Sequence, residues 1–126
     1  MDRLAAGPLT GVEQKDGLDT EAALVRVGGD LELLKEIARI FLDDCPRSLA
    51  ELHAALESQD CAGVERSAHT LKGASANFGA NRLVFSALQL EKMGHAHTLD
   101  ESAVAMAAVE SALRALTVEL EAFLAS

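Results

Sequence analysis

From residue 19 onward the apolar positions recur at spacings of three and four, the period of a helix packed along one face. Asp19 caps a first short segment that runs to about Val27, where Gly28-Gly29 ends it. Asp30 caps the next, LELLKEIARIFLDDCPRSLAELHAALES, with Leu33, Leu34, Ile37, Ile40, Phe41, Leu49, Leu52 and Leu56 on its apolar side. Pro46 interrupts it and removes one backbone donor, so the pattern predicts a kink, or two helices meeting near Asp44–Pro46. Asp60 opens a third segment reaching about Phe78, with Gly79 as its stop. A fourth runs from about Ala80 to Met93, with Gly94 as its stop. Thr98 and Glu101 have the spacing of a capping box and open a last helix carrying Val104, Ala108, Leu113, Leu116, Leu120 and Phe123. No strand-like alternation separates these segments. The fold expected is all-α: an antiparallel four-helix bundle with a short extra N-terminal helix and a kink near Pro46.

Composition sharpens this. The 126 residues suit one domain. With no Trp or Tyr and only four Phe, the core must be aliphatic. Residues 1–18, with Gly7, Pro8, Gly11 and Gly17, read as a tail or linker, leaving 19–126 as the bundle. A net charge of −9 argues against nucleic acid or an anionic membrane as partner. No apolar run approaches the roughly 18 residues of a membrane span, and no signal peptide is visible, so a cytoplasmic protein is expected. Cys45 and Cys61, with no CxxC, read as reduced, small apolar residues.

The chemistry gathers in AHTLKGASANFG, residues 68–79. At about 100° per residue, Val64, Leu71 and Phe78 fall some 180° to 220° from His69, so the histidine points away from the core. Gly73 and Ala76 lie beside it and leave the surrounding surface bare. A glycine in mid-helix costs roughly 1 kcal/mol against alanine, which close approach of another molecule would offset. Lys72 stands about one turn away and could neutralise an anion. On the following helix, Glu91 falls within the apolar face of Leu83, Val84, Ala87, Leu88 and Leu90, where a carboxylate requires a partner. His69 lies ten residues before Gly79 and Glu91 twelve after it, so an antiparallel pair brings them to one height. Glu91 could then hold the Nδ1 hydrogen of His69 and leave Nε2 as a nucleophile; the alternative is a glutamate bent out to solvent. His53 reads as an edge residue. His95 and His97 form an H-x-H pair without the companions a metal site requires, and the inward Glu-x-x-His pairs of a metal-binding bundle are missing: Ala68 stands three residues after Glu65.

AHTLKGASANFGANRL resembles the central motif of histidine-containing phosphotransfer (HPt) domains, H-x-L-K-G followed by small residues and a glycine. RVGGDLELLKEIARIFLDDCPRSLAELHAAL is similar to that family's leading segment, and Leu90-Glu91 also fits, so the likeness spans about residues 19–124. It implies a carrier in a two-component phosphorelay and not a kinase. His69 would accept a phosphoryl group at Nε2 from the aspartyl phosphate of one receiver domain and pass it to another receiver's aspartate. Lys72 would steady the phosphoryl group, Glu91, where some relatives carry Gln, would hold the imidazole, and Gly73, Ala76 and Asn77 would face the partner. The partners implied are receiver domains of response regulators or of a hybrid sensor kinase. Mg²⁺ would sit in the receiver, with no cofactor in this chain, which is expected to act as a monomer. A bundle that binds receivers without phosphotransfer is the competing expectation.

Overall fold

The computed structural model describes residues 17–126, and among these the regular structure is entirely helical. Helix α1 is Thr20–Arg26, α2 Leu31–Glu57, α3 Cys61–Ala76, α4 Asn81–Ala96 and α5 Ser102–Ala125. Three starts follow from aspartate caps. The side chains of Asp19, Asp30 and Asp60 accept hydrogen bonds from the backbone N–H of Ala22, Leu33 and Gly63 at 3.2, 3.0 and 3.0 Å. Each satisfies a donor that the first helical turn leaves without a partner. Gly28 and Gly29 end α1 in the left-handed region, with φ of +66° and +81°.

Two expectations are corrected, and a choice between two others is made. Helix α2 runs through Pro46 as a single helix of 27 residues, which excludes two separate helices meeting at that proline. The missing proline N–H leaves the Leu42 carbonyl without its helical donor, and the Cys45 thiol lies 3.9 Å from that oxygen. Helix α4 does not stop at Gly94 but continues to Ala96 and closes on His97, whose φ is +58°. Gly94 instead permits contact between helices: a Cβ built there would lie 2.7 Å from both the Cys61 carbonyl oxygen and the Glu65 nitrogen on α3. Finally, Thr98 caps nothing. Its N–H bonds back to the Met93 carbonyl at 3.0 Å, and α5 begins after Glu101 with no side-chain cap.

Helices α2, α3, α4 and α5 pack in a ring, each on its two neighbours, and α1 lies against α2. The core is aliphatic, with Leu34, Leu52, Val64, Leu83, Leu90, Val109, Leu116 and Leu120 essentially inaccessible. Each such side chain contributes roughly 1.5–3 kcal/mol of burial. Phe41 and Phe78 meet edge to face, ring centres 5.2 Å apart. Leu33, Ile40 and Val104 share the periodicity but are exposed. Of the stretch read as a tail, residues 1–16 lie outside the described residues. Gly17 and Leu18 join the bundle, Leu18 donating its N–H to Glu119 on α5 at 2.6 Å. The Asp19 N–H bonds to the Phe78 carbonyl at 2.9 Å, which ties the start of α1 to the α3–α4 turn.

Candidate functional site

Helix α3 faces the core with Val64, Ala68, Leu71 and Ser75, and solvent with Arg66, His69, Thr70 and Gly73. The His69 side chain is 65% exposed. Its Nδ1 lies 2.8 Å from Glu91 Oε2 across the α3–α4 pair. The other carboxylate oxygen, Oε1, is shielded from water and sits 2.7 Å from Lys72 Nζ, which neutralises it as a contact ion pair. One half-buried carboxylate thus holds His69 with one oxygen and Lys72 with the other. The Lys72 ammonium, aided by His69, keeps the Glu91 carboxyl below the usual carboxylate range, against the opposing effect of burial. An ionised carboxylate only accepts, so Nδ1 of His69 donates to Glu91, and in the neutral ring Nε2 is then the nitrogen that carries the lone pair.

The remaining site positions are arranged around this pair. Gly73 is exposed, and a Cβ there would meet nothing within 4 Å, so no fold requirement selects glycine. Ala76 is half-buried and Asn77 exposed. Asn77 lines a groove of about 150 Å³ between α2 and α3, together with Ile37, Ile40, Thr70 and Ala74. Ile40 lies on the apolar side of α2 by its spacing, yet it is exposed at this groove beside Thr70 and Asn77, which the spacing alone does not reveal. Lys72 is turned toward Glu91 rather than out toward the space above His69. Of the other histidines, His53 presents Nε2 to Glu110 Oε2 at 2.7 Å, which leaves that nitrogen engaged. His95 pairs through Nδ1 with Glu65 Oε2 at 3.1 Å. No group of three or more His, Cys, Asp or Glu side chains among the described residues is placed to hold a metal ion.

An exposed imidazole held through Nδ1 on a four-helix ring fits one family by sequence as well: residues 36–125 match the Hpt domain. The chain belongs to the Hpt domain family. As such it is a histidine phosphotransfer protein of two-component signalling, a family of phosphoryl carriers that work with receiver domains. The Hpt fold is also seen in the crystal structure of histidine-containing phosphotransfer protein B (HptB) from Pseudomonas aeruginosa PAO1. The TM-score is 0.76 over 82% of this chain and 90% of that one, at 23% identity. A comparison with curated proteins finds no match. Among the described residues, no helix of this Hpt domain is long and apolar enough to cross a membrane.

The Glu91 pairing has a pH signature. Because the folded-state carboxyl titrates below its unfolded value, the stability it contributes is present above the ordinary carboxylate range and lost as pH falls through the lowered value. Glu91→Gln should therefore melt below wild type at neutral pH. The difference should close as pH falls below the ordinary carboxylate range and through the lowered value, measured by thermal melts across pH. A gap that persisted unchanged into acid would contradict the ionic pairing.

Proposed function

We propose that His69 accepts a phosphoryl group from the aspartyl phosphate of one receiver domain and gives it to the aspartate of another. The observation that carries this reading is the exposed His69 imidazole with Nδ1 on Glu91 and Nε2 open. In the forward step the Nε2 lone pair forms the bond to phosphorus. The aspartyl P–O bond breaks and its electron pair leaves with the donor carboxylate. The ring keeps its Nδ1 hydrogen and becomes a phosphoimidazolium, whose positive charge faces ionised Glu91. The reverse step returns the lone pair to Nε2, so neither direction requires a proton to be delivered. Lys72 acts on the far oxygen of Glu91 and keeps that carboxylate charged. Gly73, Ala76 and Asn77 leave a low surface over which the receiver loops can close. Mg²⁺ and most of the electrostatic stabilisation belong to the receiver. This is the work of a monomeric cytoplasmic carrier rather than of a kinase.

The test is to mix the chain with a phosphorylated receiver and read its intact mass at neutral to alkaline pH. One added phosphoryl group, labile to acid, supports the reading. Receivers that bind without labelling the chain would favour the adaptor instead.

Gly73 gives an independent check. Gly73→Ala should raise the stability of the free chain by about 0.5–1 kcal/mol, since the helix gains and nothing is obstructed. Phosphotransfer from a receiver should slow about tenfold or more as the added methyl holds the reacting groups apart. Thermal melts and transfer kinetics on the same sample would separate the two effects; unchanged transfer would remove Gly73 from the docking surface.

A further inference from the structure

A phosphoryl group on His69 brings about two negative charges to Nε2. The shallow depression beside His69 is lined by Ala62, Glu65, Arg66, His69, Thr70 and Glu91, so it already holds two carboxylates. Each of them has a partner. Glu65 meets His95 at 3.1 Å, and Glu91 meets His69 at 2.8 Å and Lys72 at 2.7 Å. Lys72 already faces Glu91, and turning wholly to a phosphoryl group would leave a shielded carboxylate oxygen uncompensated just as negative charge builds nearby.

Arg66 is placed differently. It stands three residues before His69 on α3, where Cβ atoms come within about 5–6 Å of each other. It is exposed, and its side chain has no hydrogen bond or ion pair among the described residues. Toward α2 it borders a second depression that contains Glu51 and Asp60, and it pairs with neither. Seen down the helix, Arg66 lies about 60° to one side of His69 and Lys72 about 60° to the other. The two cations therefore flank the imidazole, one engaged and one available.

We infer that Arg66 is the residue that binds the phosphoryl group on His69, while Lys72 remains on Glu91 and holds the imidazole. The assignment rests on His69 being the phosphoacceptor. The guanidinium offers a planar fork that can donate to two phosphoryl oxygens at once, which an ammonium cannot. It can do so without breaking a contact it already makes. It makes and breaks no covalent bond itself.

The experiment uses the whole chain and a small donor, phosphoramidate, so that receiver docking does not enter. The Nε2 lone pair of His69 attacks phosphorus, the donor P–N bond breaks, and ammonia leaves. The phosphorylated wild type, Arg66→Gln and Arg66→Lys are then titrated by ³¹P NMR. Arg66 should favour the dianion, so Arg66→Gln should raise the pH at which the phosphoryl group titrates by about 0.5 unit, the size an exposed ion pair supports. Arg66→Lys should recover part of the shift, because it restores the charge but not the fork. Neighbouring Glu65, Glu91, His95 and Lys72 are the same in all three proteins, so the difference isolates residue 66. Coincident titrations of wild type and Arg66→Gln would overturn the assignment. Failure of wild type to take up phosphoryl on His69 would be a different result: it would remove the phosphoacceptor, and the Arg66 assignment with it.

Discussion

Replacing His69 by glutamine should abolish phosphoryl uptake while leaving the bundle intact. Mixed with a phosphorylated receiver, wild type should gain one phosphoryl group in its intact mass and His69→Gln none, to below about 1% of the wild-type signal, since no second nucleophile can take over at that position. The fold should hardly register the change. The imidazole is 65% exposed and packs into no cavity, and Glu91 keeps Lys72 as its partner when the ring is gone. Surface changes of this kind stay within about 0.5 kcal/mol, roughly 2–4 °C in Tm for a domain of this size. Loss of labelling with an unaltered melt places the chemistry on His69. Persistent labelling of the variant would move it elsewhere, with His95 the first residue to examine by peptide mapping, because it too presents a carboxylate-held imidazole to solvent.

The largest effect on stability is expected at Gly94. The backbones of α3 and α4 approach so closely there that a Cβ would fall 2.7 Å from Cys61 O and Glu65 N, and neither atom can rotate aside as a flexible side-chain tip can. Gly94→Val should cost about 2 kcal/mol net of the glycine's own helix penalty, or roughly 10 °C in Tm. The milder Gly94→Ala should lose less and provide a folded sample for NMR. In that sample the helices are forced apart beside Glu65, so the Glu65–His95 pair should loosen first and His69–Glu91, one turn further along α3, should follow. An unchanged melt for both variants would show that the helices can separate at no cost and would contradict the close approach. The contrast with Gly73 is instructive: two glycines in adjacent helices, one that the packing requires and one that it does not.

That contrast also marks what the sequence could and could not convey. The helices and three of their starts were legible because an aspartate side chain bonding three residues ahead is a local event. The His69–Glu91 register was legible because both residues are counted from the turn at Gly79. Gly94 looks like a helix stop in the sequence because its actual reason, the Cys61 and Glu65 backbone, lies on another helix, out of reach of any local pattern. Thr98 and Glu101 have the letters of a capping box, but His97 turns left-handed and the chain closes back onto Met93, so Thr98 is spent on ending α4. Ile40 continues a regular apolar stripe, yet the ring of four helices covers only part of that stripe and leaves it 53% exposed beside Thr70 and Asn77. The partner of Lys72 was hidden for a similar reason: a cation near a histidine suggested an anion yet to arrive, when one was already present on α4.

His69 sits mid-way along a helix fixed at both ends, by the Asp60 cap at one and by the Asp19–Phe78 bond near the other. A group mounted in this way cannot swing from one visitor to the next. On the phosphotransfer reading, donor and acceptor must therefore use the same patch in turn, each excluding the other. Traffic through such a single berth is governed by how quickly the first visitor departs, so tight binding would throttle the relay, and short-lived complexes are what the geometry favours.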